Sequence, residues 1–446
     1  MPERLIPSAC PGTRLHGLRW ALVALATAWL LFEWGRIFVA PRGDFPNHWE
    51  LGRRLVHGGF IYEGGLDFVY PPLWALAHAP LTLVSAHAAQ ILVYPLAPVA
   101  IVALVWVLHR LARGSLPLGP DALFWSTALA VFLASPFLTR DLTEVGANTA
   151  LVALSWLAVY LWSRGRDRGG GVCLGLAGAL KCTPLLFVAY FALKRQWRIL
   201  AAAIVATLGF TAAPALIQGP AEYARTMAFW ANGVARGALD PDPSRGVLGE
   251  EKVENLALRP ALARYLMHLP YGHMGRPETS DTPGVPERPP SPLYLQFADL
   301  SPFWAGLLVR AIMLVPLAWV GWRFRRPALD RGDPAILWEC ATVSLLILLY
   351  SPITWKQHAV GVLPALYLMC RSAWAGRWLP RWVVPAVGGY AILAVLLNRG
   401  IVGREATKLL DSYRVKTIGI LLLAGAAIGC RLRLPAKASA AEATRA

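Results

Sequence analysis

Residues 18–40, LRWALVALATAWLLFEWGRIFVA, run straight into a polar stretch that begins PRGDFPNHWELGRRLV at 41–56. The first segment is long enough to cross bilayer hydrocarbon, which takes about 20 apolar residues. A backbone surrounded by lipid must satisfy its own hydrogen bonds, so the segment is expected to be a helix. Glu33 and Arg36, one turn apart within it, read as a mutually neutralising pair. Arg4 and Arg14 precede it and Arg19 stands at its very start, which puts that start on the cytoplasmic side. The polar stretch therefore emerges outside with Asp44 at the membrane surface, and it ends at Tyr70-Pro71-Pro72-Leu73, where the next apolar run begins.

The same alternation continues along the chain. Of 446 residues, 56% are hydrophobic and only 15% charged, well below the share of about a quarter in a soluble globule. Spans are expected at 71–109 (too long for one crossing, so its first part to about Val84 lies oblique or re-entrant), 122–139, 147–162 and 199–217. Others follow at 302–322, 334–350, 358–369, 383–397 and 417–430. Residues 169–193, bounded by basic clusters at both ends, predict a hairpin of short helices with Lys181 near its tip. Continuous apolar runs, not short alternating ones, exclude a β-barrel. The fold class is an all-α polytopic membrane protein.

A formal charge of +17 raises the question of nucleic acid. The basic residues answer it by their placement. Arg164, Arg166 and Arg168, then Lys194, Arg195 and Arg198, then Arg323, Arg325 and Arg326 each close an apolar run, as cytoplasmic loops do. No nucleic-acid partner is implied. Six cysteines without metal-ligand spacing read as buried free thiols. No small-residue cleavage site precedes the first span, which reads as an uncleaved anchor. The one large hydrophilic region, 218–299, is rich in Pro, Gly and charge, above all at 276–292, and is expected outside and partly irregular. The basic loop around Arg399, Arg404, Lys408, Arg414 and Lys416 also falls outside, against the rule. The Ala-rich tail, 433–446, is expected to be a disordered cytoplasmic segment, which leaves 1–432 as a single transmembrane domain with outer loops at 41–70 and 218–299.

Four polar islands fall on one side of this topology: Asp44, residues 140–148, the Lys181 turn and residues 351–358. That convergence is the pattern of a site at a membrane surface. Asp44 has two compatible readings, as an N-cap for a surface helix and as a base that takes a proton from an acceptor hydroxyl. Arg140 with Asp141, Glu144 and Asn148 reads either as solvated residues at a span end or as a phosphate site built on the guanidinium. Lys181, in apolar surroundings, is either a structural ion pair or a phosphate contact. Trp355 alone would be an interfacial anchor, but with Lys356 and His358 beside it the run looks like a headgroup site. The histidines show no metal-ligand spacing, and no metal is implied.

These segments resemble the DUF2029 glycosyltransferases, family eighty-seven of the carbohydrate-enzyme classification, within the GT-C superfamily. The resemblance rests on DF at 44–45, GGFIYEGG at 58–65, FVYPPLWALAHAPL at 68–81, GAN at 146–148, GLAGALKCTPLLFVAYFALKRQWR at 175–198 and SPITWKQHAVGVLPAL at 351–366. The chain departs from the family pattern at Pro46-Asn47-His48-Trp49, at Gln357 in place of the first histidine of a pair, and in the missing glutamine of the GAN element. The resemblance implies a GT-C-type bundle of about 10–12 transmembrane helices with extracytoplasmic loops. It implies an inverting glycosyltransferase similar to the polyprenol-phosphate-mannose-dependent mannosyltransferases, with a polyprenyl-phosphate sugar as donor substrate and no cofactor. Asp44 would be the base. Lys181, His358, Lys356, Arg140, Asn148, Tyr70, Trp355 and Glu144 would bind donor phosphate or substrate. The acceptor would be a lipid or glycan and the site extracytoplasmic, in a multi-pass cell-membrane protein with both termini inside. Other expectations stay open: an arabinofuranosyl or other pentosyl transferase, or a non-catalytic lipid-linked sugar transporter.

Overall fold

The computed structural model describes residues 11–64, 69–247, 249–250, 253–268, 296–376 and 379–434. Within them the protein is a predominantly helical, multi-pass membrane bundle. Six helices are long and apolar enough to cross a membrane, and four shorter apolar helices join them.

Helix α1 (Pro11–Val39) ends just before the Asp44 turn, which starts the short helix α2 (Phe45–Val56). As expected, Arg36 donates to Glu33 at 2.8 and 3.0 Å. Helix α3 (Leu73–His78) runs on as a 3-10 turn to Leu83, and both pack against α2. The chain then breaks at Val84, which is extended, and Ser85 caps α4 (Ala86–Val93), which continues through Pro95 into α5 (Leu96–Ala112) as one span. The break explains why the apolar run was too long for one crossing.

Next come α6 (Pro120–Thr143), α7 (Asn148–Ser163), α8 (Asp167–Leu180), α9 (Leu185–Leu193), α10 (Trp197–Ala212) and α11 (Ala215–Gln218). Helix α6 outruns the expected span by one turn, so Arg140 and Asp141 sit in its last turn and not in a loop. Helices α8 and α10 approach closely because α8 presents glycines four apart. A Cβ on Gly171 would lie 2.4 Å from that of Ala202, and one on Gly175 would lie 2.5 Å from that of Ala206. Small residues at such spacing let helix backbones meet without an aqueous driving force. The pairing fixes the end of α8, where Lys181 follows.

The described part of the hydrophilic region 218–299 contains regular elements. It holds α12 (Pro220–Leu239), a two-residue antiparallel hairpin of β1 (Arg245–Gly246) and β2 (Gly249–Glu250), and α13 (Leu258–Leu266). The Pro-rich stretch 276–292 lies outside the described residues, as do Arg4, Cys10 and the tail from 435. The remainder is α14 (Pro302–Phe324), α15 (Pro334–Tyr350), a 3-10 segment Lys356–Val362, α16 (Leu363–Trp374), α17 (Val383–Tyr390) with a π turn to Leu396, α18 (Arg399–Val402), α19 (Arg404–Ser412) and α20 (Val415–Arg433). Lys416 thus belongs to a helix and is buried, not part of a loop.

The core runs through α15, which is buried along nearly its whole length. Its Glu339 is fully enclosed and accepts from Tyr190 at 2.8 Å, Lys194 at 2.6 Å and Arg431 at 2.7 Å. A carboxylate at that depth is tolerable only with such partners. Trp156 donates to Ser344 at 3.1 Å and ties α7 to the same helix.

Candidate functional site

The turn that carries Asp44 is built by close approach. Gly43 has φ +62°, and a Cβ there would fall 2.4 Å from the Glu144 carboxylate and 2.5 Å from its Cα. Only glycine fits that contact and that backbone. The Asp44 N–H donates to the Glu144 carboxylate, and Phe45 shares a buried cluster with Val145, Ile37, Ala89 and Tyr94. The start of α2 is in this way locked to the end of α6. Val145 itself adopts φ 51°, a left-handed conformation that costs a β-branched residue about 1–3 kcal/mol and persists only under such packing.

Asp44 caps α2 through its main chain alone. Its carbonyl accepts from the N–H groups of Asn47 at 3.0 Å and His48 at 3.3 Å, while its side chain makes no capping bond. The carboxylate faces solvent, and among the described residues its one side-chain hydrogen bond is with Gln357, whose amide donates at 3.5 Å, the outer limit of a hydrogen bond.

That carboxylate lines a cavity of about 860 Å³. Tyr70, Arg140, Lys181, Trp355, Lys356 and His358 line it too, so seven of the nine expected site residues share one space. The other two lie outside that lining. Asn148 accepts from the Lys181 ammonium at 3.0 Å and donates to Asp141 at 2.9 Å. Glu144 pairs with Arg140 at 2.5 Å while holding the Asp44 turn. Burial pushes the Glu144 carboxyl above its ordinary range, Arg140 opposes this, and the nearby Asp44 charge adds to it.

Asp141 corrects the picture of a solvated span end. It is 1% exposed and also accepts from the Thr149 N–H at 2.9 Å and hydroxyl at 2.7 Å. Gly146 makes this possible, since a Cβ there would overlap the Asp141 carboxylate. The result is a chain of contacts from Asp141 through Asn148 to Lys181, and Lys181 also lies 5.4 Å from the Tyr70 ring centre. Burial holds the Lys181 ammonium down to about 7, with Asp141 pulling the other way.

Lys356 is not a free cation. It pairs with Asp411 at 2.6 Å, and Lys416 bonds the other oxygen of the same carboxylate at 2.5 Å. Arg399 also reaches the cavity wall. Two further wall residues escaped the sequence reading. His48 stands one helical turn from Asp44, a spacing that puts both on one face; burial, with help from His78 and Lys181, holds its imidazole down to about 3. Cys182 lines the cavity and is exposed, unlike the buried Cys340, Cys370 and Cys430. Among the described residues no group of three His, Cys, Asp or Glu side chains converges as metal ligands would.

A membrane bundle that gathers its polar islands round one cavity, carboxylate on one wall and protonatable nitrogens on another, can take a proton from a hydroxyl while holding an anion. Residues 68–352 match Glycosyltransferase family 87, and the chain belongs to that family. It is a membrane protein related to the GT-C glycosyltransferases. The chain is 29% identical over 387 residues (81% of this chain, 77% of the relative) to a polyprenol-phosphate-mannose-dependent alpha-(1-2)-phosphatidylinositol mannoside mannosyltransferase of Mycobacterium tuberculosis. It is 30% identical over 231 residues (47% of this chain, 53% of the relative) to an alpha-(1->3)-arabinofuranosyltransferase of Corynebacterium glutamicum. The crystal structure of ArnT from Cupriavidus metallidurans aligns over 93% of this chain and 78% of that one, at 15% identity and a TM-score of 0.38.

Proposed function

We propose that the protein moves one sugar, mannose before others, from a polyprenyl-phosphate donor to a lipid or glycan acceptor at the extracytoplasmic surface, with inversion at the anomeric carbon. The observation that carries this is Asp44 facing the same cavity as Lys181 and His358. In the proposed reaction Asp44 takes the proton of the acceptor hydroxyl as its oxygen attacks the anomeric carbon. The bond from that carbon to the phosphate oxygen breaks on the opposite face, and the polyprenyl phosphate leaves with the electron pair. Lys181 and His358 meet the charge on the departing phosphate. Arg140 and Lys356 contribute less, because each already faces a carboxylate. Residues 1–432 act as one catalytic domain.

The mannosyl donor is supported by the M. tuberculosis relative, whose name pairs polyprenol-phosphate-mannose with mannosyl transfer. The corynebacterial relative favours a pentose donor as the second reading. Membranes containing the wild type or Asp44→Asn, incubated with a panel of radiolabelled polyprenyl-phosphate sugars, test both readings. The expected result is lipid-soluble product from mannose with the wild type, and a loss of at least a hundredfold with Asp44→Asn, within the range general bases contribute. Product from the pentose donor alone would move the assignment to the second reading. Near-normal turnover by Asp44→Asn would remove Asp44 as the base.

A further inference from the structure

A second cavity of about 400 Å³ lies where α5, α7 and α15 meet. Arg110, Arg113 and Arg164 line it, together with Arg331 and Asp333. The last two are committed elsewhere. Arg331 donates to both oxygens of Asp167 at 2.8 and 3.1 Å and to the Trp162 carbonyl at 2.8 Å. Asp333 caps α15 by accepting from the Ala335 N–H at 2.9 Å. Among the described residues none of the other three arginines has an ion pair, so the cavity holds a surplus of positive charge.

Its position is fixed by α7. That helix starts at Asn148, which touches Lys181, and its last residue, Ser163, lines the basic cavity. Its 16 residues measure roughly 24 Å at ~1.5 Å per residue. The two cavities therefore open at opposite ends of a bundle about as thick as bilayer hydrocarbon, ~30 Å.

What leads into the basic cavity is apolar. Along α5 the residues Val99, Val102 and Trp106 are 60%, 68% and 48% exposed. They continue at the same three- and four-residue spacing into Arg110 and Arg113, so one helix face runs from bare hydrocarbon surface to guanidinium. At the junction Arg110 lies 5.7 Å from the Trp106 ring centre, and Trp106 meets Tyr160 edge-on at 5.7 Å. Tryptophan and tyrosine collect at headgroup depth. A soluble anion would have no use for the apolar approach.

We propose that this cavity binds the headgroup phosphate of an anionic phospholipid, with the acyl chains lying along the exposed face of α5. Arginine suits the task because its planar fork matches phosphate oxygens in pairs, and basic pockets between spans hold lipid headgroups in this way. The site is separate from the Asp44 cavity and does not depend on the reaction proposed there.

The test uses the purified full chain in mild detergent, titrated with phosphatidylglycerol, phosphatidylcholine or inorganic phosphate, with bound ligand read by native mass spectrometry. The expected result is retention of phosphatidylglycerol over phosphatidylcholine, weakened about fivefold by each of Arg110→Gln, Arg113→Gln and Arg164→Gln and roughly a hundredfold by all three together. Arg325→Gln, at a basic cluster outside the cavity, should leave binding unchanged. If the triple variant fails to fold, the three single variants carry the decision. Equal retention of the two lipids, or single variants that bind like the wild type, would overturn the site. Inorganic phosphate binding as tightly as phosphatidylglycerol would make it a soluble-anion site and overturn the lipid assignment.

Discussion

Under the proposed function one half-buried amine, Lys181, would set how the cavity responds to an anion. Its ammonium is held down to about 7 by burial, against the pull of Asp141, so above that pH the free protein carries a neutral amine there. A phosphate beside it favours the charged form, and donor binding must then take up a proton at any pH above 7. The sign follows: apparent donor affinity is greatest below pH 7 and falls as pH rises, by at most tenfold per unit. Donor titrations in nanodiscs at fixed acceptor, from about pH 6 to 9, should show this slope, and Lys181→Arg, charged throughout, should flatten it. A slope unchanged in Lys181→Arg would place the phosphate elsewhere, with Arg399 on the cavity wall the next candidate. Asp44 and Lys181 were legible in the sequence because each is a polar residue where apolar helices stop. Their partners were not. Asp141 sits in a run of charged residues that reads as solvated, and only the left-handed turn at Val145 and the bare Cα of Gly146 fold Thr149 and Asn148 back onto it.

Among the elements, residues 253–257, just before α13, tie distant parts of the chain together. The Asn255 side chain accepts from the Thr354 N–H at 2.9 Å and the Ala257 N–H at 3.0 Å, and donates to the Pro352 carbonyl at 3.2 Å. Leu256 adds a main-chain bond to Thr354 at 2.7 Å. From the other side Arg414 donates to the carbonyls of Val253 and Asn255 at 2.6 and 2.5 Å. These residues thus grip the 351–358 run that carries Trp355, Lys356 and His358. Nothing local announces this, since the partners lie about a hundred residues apart or more, and 55 residues likewise separate Lys356 from its counter-ion Asp411. Asn255→Ala leaves the buried Thr354 and Ala257 amides without their side-chain acceptor, at a cost of about 1–3 kcal/mol each. The expected outcome is a lower Tm together with a raised donor KM, as the gripped run loosens. Thermal melting and donor titration of the same preparation check it, and the assignment fails if both match the wild type.

For the molecule as a whole, the end that faces out governs the chemistry of the donor. Helix α7 joins the Asp44 cavity at Asn148 to the arginine-rich end at Ser163. Helix α15 makes the same journey in reverse, from Pro334 beside the arginines to Tyr350 and the 351–358 run. The clusters at 164–168 and 323–326 fall at the arginine end, with Asp44, α12 and α13 at the other. On the positive-inside rule we propose that the arginine end faces the cytoplasm. The transmembrane potential and the anionic inner leaflet both favour that orientation, at about 1 kcal/mol per basic residue near the surface. Under that proposed orientation the Asp44 cavity would lie outside, where nucleotide-activated sugars are absent and a lipid-linked donor would be required. Two exposed positions test the sidedness, Arg225→Cys on α12 and Arg168→Cys on α8, each in a Cys182→Ser background because the natural Cys182 is itself exposed. A membrane-impermeant maleimide applied to intact cells should label position 225 at once and position 168 only after permeabilisation. The reverse pattern would turn the Asp44 cavity toward the cytoplasm. A nucleotide-activated donor would then be favoured over a polyprenyl-phosphate one, and the basic cavity would face the outer leaflet.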